Sequence, residues 1–277
     1  MFTLDGILDA LTLEQVAPDR YRASNVQTGH AVVFGGQLLA QSIVAGAVEH
    51  DSKTIKTLHT VFARSASPDA PVDITVDRMH TGRALASSTV TISQGDRLCT
   101  RSIVLLSTDE PDLIRHADRS LLSSTPEEAV ASSRDSAAWE ARIVGGVDVD
   151  DPDTVGPPEL DIWIRFVGAP EDPVVNQALL AFVSDGFLIG TAMAPHRGVG
   201  QAQAHVSIST GVLSHTLTFH EPFSAAAWLL LSHSSPYAGR GRSYGRADVF
   251  RTDGQLVASF VQDGIIRAMP AAGAGAR

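Results

Sequence analysis

Between Val32 and His50 the stretch VVFGGQLLAQSIVAGAVEH carries apolar residues nearly all round a helical wheel. That is the pattern of a helix buried on most sides, not of one lying on a surface. Four segments follow it, 54–64, 71–79, 84–93 and 97–107, which alternate or are rich in β-branched residues. Turn signals at Ser67-Pro68, Thr81-Gly82 and Gln94-Gly95 separate them. The pattern predicts one central helix and an antiparallel meander. From 108 to about 158 periodicity gives way to Asp, Pro and Gly, as expected of a linker lying over the surface. The pattern then returns, with an apolar helix over 176–193 and strands near 203–220, 227–235, 242–251 and 255–267.

The second unit matches the first in detail. Thr81-Gly82-Arg83, a polar-alternating strand and the turn Gln94-Gly95 correspond to Ala238-Gly239-Arg240, a similar strand and the turn Asp253-Gly254. Phe62 before Ala63-Arg64 corresponds to Phe219 before His220-Glu221. Two helix-then-sheet units in tandem imply a duplicated α+β fold in which two antiparallel sheets each wrap a central helix. The expected divisions are 1–107, a linker over 108–158, a second unit over 159–267 and a disordered tail over 268–277.

Composition removes several function classes. A chain of 277 residues with 44% hydrophobic content can bury a substantial core. A formal net charge of -10 argues against a nucleic-acid partner, because such binding rests on clustered Lys and Arg. The single cysteine, Cys99, allows no internal disulfide or paired-cysteine metal site and fits a reducing cytoplasm. The acids in the N-terminal MFTLDGILDALTLEQ do not suit a signal peptide, and no apolar run is read as long enough to span a membrane.

Candidate chemistry is sparse. Asp185 lies inside the apolar LLAFVSDGFLI, where burial would raise its pKa toward that of a general base; the alternative is a solvated helix break at Asp185-Gly186. Gln262 shares a strand face with Ala258, Phe260 and Gly264, so its amide needs partners. In GVLSHTLTFHEPF (211–223), unbroken alternation puts Val212, Ser214, Thr216 and Thr218 on one face. His215 and His220 then point to opposite faces and cannot share a metal, and His59, His196, His205 and His233 have no ligand spacing, so no metal site is expected. Cys99 reads as a small core residue. The glycines of AGRGRSYGR form a turn and not a dinucleotide loop, while Arg240, Arg242 and Arg246 are of a type that meets phosphates. Gly35 and Gly36 suit close helix packing.

The segments VFGGQLLAQSIVAG, LHTVFARSASPDAPV, LTFHEPFSAAAWLLLSHSSPYAGRGRSYGRADVF and DGQLVASFVQDGIIR together resemble the TesB-type acyl-CoA thioesterase II family. The resemblance implies a double hot-dog fold, hydrolysis of fatty acyl-CoA to free acid and coenzyme A, no cofactor, and a homodimer or homotetramer. It carries a water-orienting Asp and Gln onto Asp185 and Gln262. The third member of that site, a strand hydroxyl, falls on Val212, which cannot hydrogen-bond. Thr210 and Ser214, expected on the same pleat face, are the stand-ins, and Arg240, Arg242, Arg246 and Gly36 are the candidates for holding acyl-CoA. Two other readings remain: an acyl-CoA-binding protein that does not hydrolyse, and an enoyl-CoA hydratase pairing Asp185 with a histidine.

Overall fold

The computed structural model describes residues 2–50, 52–117, 122, 124–132 and 136–269. In chain order, the first unit contains α1 (Leu4–Leu11), β1 (Glu14–Ala17), β2 (Arg20–Ala23), α2 (Gly35–Ala47), β3 (Thr54–Phe62), β4 (Val72–Thr81), β5 (Leu85–Gln94) and β6 (Arg97–Ser107). A middle stretch gives β7 (Val130–Ala131), β8 (Glu140–Ile143) and β9 (Glu159–Arg165). The second unit contains α3 (Pro173–Ser184), α4 (Leu188–Met193), β10 (Ile208–Phe219), β11 (Leu229–Gly239), β12 (Arg242–Arg251) and β13 (Leu256–Ala268).

Alternation along the strands builds the core in the expected way. In β5, Ala86, Ser88, Val90 and Ile92 are buried and the residues between them are not. Ten of the 13 residues of α2 are buried, consistent with its all-round apolar surface. Asp172 caps α3 by accepting from the Val174 and Val175 N–H groups, and Pro173 starts the helix without needing a donor. The two units, each an antiparallel sheet wrapped on a helix, are a tandem hot-dog. Their sheets join edge to edge through β3 and β10, giving a 13-stranded sheet in the order β1-β2-β4-β5-β6-β3-β10-β13-β12-β11-β9-β8-β7.

The structure differs from the sequence expectations in five places. The helix expected over 176–193 is two helices, broken at Asp185. The stretch 108–158, expected to be structureless, contributes β7 and β8 to the sheet edge beyond β9. Residues 4–23 form a helix and a hairpin that periodicity did not single out. The tail expected from 268 begins later: Ala268 ends β13 and the Met269 N–H donates to Ser207 O, while 270–277 lie outside the described residues. Finally, Pro173–Met193 is 21 residues long with a hydropathy of 1.4, enough to cross a membrane by length and composition. Most of it is packed inside the protein as α3 and α4, which serve as core helices.

Candidate active site

Asp185 terminates α3 and faces the start of α2. A Cβ built on Gly35 would lie 2.6 Å from Asp185 Oδ2, and the Gly36 N–H donates to the carboxylate. The residue before α2, Phe34, provides no side-chain cap, so a carboxylate from the second unit serves the N-terminus of α2 in the first. Gly36 is required for this approach, since any Cβ there would collide with Phe182 O on α3. Asp185 is only 9% exposed. Burial raises its carboxyl to about 7, against the opposing hydrogen bond from Gly36. The helix break is therefore real, but it opens into the interior and not to solvent.

Gln262 is buried on β13 directly opposite His215 of β10. Gln262 Oε1 lies 3.1 Å from His215 Nδ1, and His215 Nε2 lies 3.0 Å from Ser184 Oγ. Burial lowers the His215 pKa to about 4, so the ring is neutral near pH 7. The Nδ1–H then donates to Gln262 Oε1, and Nε2 faces Ser184 as an acceptor that competes with Ala181 O, 2.9 Å away, for the one hydroxyl proton. This chain of side chains ties the glutamine to the end of α3, next to Asp185. Among the described residues, Gln262 Nε2 and Asp185 Oδ1 are buried without a partner. One is a donor and the other an acceptor, the pairing required to hold a water.

A bulge decides the remaining strand residues. Pairing of β10 with β13 shifts between Val212 and Ser214, from Val212 opposite Gly264 to Ser214 opposite Asp263. Unbroken alternation therefore fails: Val212 joins His215, Leu217 and Phe219 on the helix side, and Ser214 turns to the outer face, where its hydroxyl donates to Asp263 Oδ2 at 2.9 Å. Thr210, opposite Ile266, shares the inner face. It sits four residues along from Gln262's level, about 13 Å at ~3.3 Å per residue, with its hydroxyl 3.5 Å from His205 Nε2. Neither stand-in converges with Asp185 and Gln262. Arg242 and Arg246 are exposed and alternate with the inward Ser243, Gly245 and Ala247, so the sheet separates them from the carboxylate. Arg240 is exposed at the hairpin tip with a positive φ of 54°.

Two family models match the chain, the acyl-CoA thioesterase N-terminal domain over residues 22–107 and the acyl-CoA thioesterase C-terminal domain over residues 116–266. The chain belongs to the TesB-type acyl-CoA thioesterase II family. It is 28% identical to acyl-coenzyme A thioesterase 8 of Rattus norvegicus, covering 95% of this chain and 89% of the relative. With acyl-CoA thioesterase 2 of Haemophilus influenzae it shares 27% identity over 95% of this chain and 98% of the relative. Among solved structures it is similar to acyl-CoA thioesterase II TesB2 of Mycobacterium marinum, with a TM-score of 0.80, 27% identity, and coverage of 96% and 98%. A hot-dog protein of Alicyclobacillus acidocaldarius, 17% identical with a TM-score of 0.76, shares the fold.

The part that His215 and Ser184 play in these contacts was not anticipated from the sequence. His215 left a trace: with Leu217 and Phe219 it is the one polar member of a buried strand face. Ser184 left none, because serine is common at helix ends and its partner lies 31 residues away. His233, also buried, lies outside this chain of contacts; its Nδ1 is 3.0 Å from Leu160 O and its ring packs against Phe187 and Phe260.

Proposed function

We propose that this protein hydrolyses acyl-CoA thioesters, with Asp185 as general base and Gln262 orienting the attacking water. The observation that supports this most strongly is a buried carboxyl poised near pH 7 beside a helix N-terminus, with an unpaired amide linked through His215 and Ser184 to the end of α3. In the deprotonated form Asp185 accepts a proton from water while Gln262 Nε2 donates to the water oxygen. The neutral His215 holds Gln262 in the required orientation through its oxygen, leaving the amide nitrogen free to act. Acyl-CoA is the substrate class that the family and these relatives support.

The test is steady-state release of free thiol from acyl-CoA esters of several chain lengths. Release is expected, with kcat/KM rising as pH increases through about 7 as Asp185 loses its proton. Asp185→Asn should lower kcat about 10²- to 10⁴-fold. Val212 favours a second reading, binding without turnover, because a valine on the inner face cannot hold water. Tight binding of acyl-CoA with no thiol release would establish that reading in place of the first. A hydratase reading has less support: both nitrogens of His215 have partners, and its pKa of about 4 leaves it without an acidic imidazolium proton at neutral pH.

A further inference from the structure

The strand register places a hydroxyl where Val212 offers none. Across β12, β13 and β10, Gly245, Gln262 and His215 form one row, and Ser243, Gly264 and Val212 form the next. Both rows face the helices, and directly paired residues point to the same side of the sheet. Ser243 is 5% exposed, and its hydroxyl makes no hydrogen bond to the described residues. Its Oγ lies 2.7 Å from the point a Cβ on Gly264 would occupy, with Ile189 Cγ1 3.2 Å from the same point. Because Gly264 has no side chain, the Ser243 hydroxyl fills the space beside it, next to Ile189 at the start of α4 and in the same row as Val212. Ser243 and Gln262 are diagonal neighbours on adjacent strands, roughly 7–8 Å apart, within reach of a long side chain or a shared water.

We propose that Ser243 supplies the third polar contact to the attacking water, a role that rests on the hydrolase reading above. A water in this site has four directions to satisfy. One lone pair attacks the thioester carbonyl carbon and the other accepts from Gln262 Nε2. One O–H points to Asp185 Oδ1, and the remaining O–H donates to Ser243 Oγ. The new C–O bond forms as the first proton passes to Asp185; the C–S bond then breaks, and the departing sulfur takes that proton to leave as the thiol of coenzyme A. The carboxylic acid retains the second proton. Ser243 neither gains nor loses a proton overall.

The experiment measures thiol release by the full chain as wild type, Ser243→Ala, Ser243→Ala with Val212→Thr, and Asp185→Asn. Ser243→Ala should lower kcat about 10- to 100-fold with KM changed less than about three-fold. Its melting temperature should not fall, since the lost hydroxyl has no partner among the described residues. Adding Val212→Thr should restore at least about ten-fold of the lost kcat, because Val212 faces Ser243 across the same glycine. An unchanged kcat in Ser243→Ala, a kcat loss accompanied by a fall in melting temperature, or no recovery in the double variant overturns the proposal while the hydrolase reading stands. An inactive wild type that matches Asp185→Asn overturns both.

Discussion

At the scale of single residues, a buried Asp185 links stability to pH in an unusual direction. Its carboxyl titrates near 7 in the folded chain and near 3.8 when exposed, so between these values the folded state holds a proton that unfolding releases. Its contribution is therefore greatest at low pH and declines as pH rises through 7. Asp185→Asn has no such dependence. It should be close to wild type in stability near pH 4 and more stable by on the order of 4 kcal/mol near pH 8.5, read from urea melts at the two pH values. His215 and His233, each lowered to about 4 by burial, act in the opposite sense: they withhold protons that the unfolded chain takes up below about 6.5, so stability falls as pH drops toward 4. Both proteins contain these histidines, so the difference between them isolates the carboxyl. Asp185 and Gln262 were legible as polar groups set among apolar ones. His215 was visible and was set aside as a metal ligand, but its structural role could not be seen, because its hydrogen-bond partner is 47 residues away.

Among elements, the approach of α2 to the end of α3 sets the site. Gly36 permits it, and Gly36→Ala places a methyl group against Phe182 O, a backbone atom that cannot rotate away. A loss of about 3 kcal/mol in denaturant unfolding is expected, with reduced activity because the N–H that holds Asp185 shifts. Gly211 provides the contrast: a Cβ there meets nothing within 4 Å, so Gly211→Ala should stay within about 0.5 kcal/mol of wild type. The central helix α2, the apolar run that became α3 and α4, and the eight strands of the two meanders were legible from periodicity. The bulge at Val212 was not. A bulge inserts a residue without changing composition, and the local pattern VLSHT reads equally well with or without it. That one unpaired residue turned Ser214 outward and Val212 inward.

For the molecule as a whole, the seam between the units is made by β3 pairing with β10 and by polar groups that cross it. Gln177 on α3 accepts from the Ile55 N–H at 3.3 Å and donates to Ile55 O at 2.8 Å, and Lys56 Nζ donates to Phe219 O at 2.6 Å. Gln177→Ala would strand two buried backbone groups of β3, a destabilisation of about 1–3 kcal/mol by calorimetry. The shared sheet should keep unfolding a single transition; two separate transitions would show that the units melt independently. Amphipathic and all-apolar periods, the tandem repeat, the acidic balance and the lone carboxylate in an apolar helix are properties of consecutive residues, and the chain alone determined them. The joined sheet, the Ser184–His215–Gln262 contacts, the hydroxyl of Ser243 beside Gly264 and the outward face of the arginines depend on register between strands distant in sequence. Register is settled by the sum of many weak pairings and one bulge, so only the tertiary structure could decide which polar groups meet.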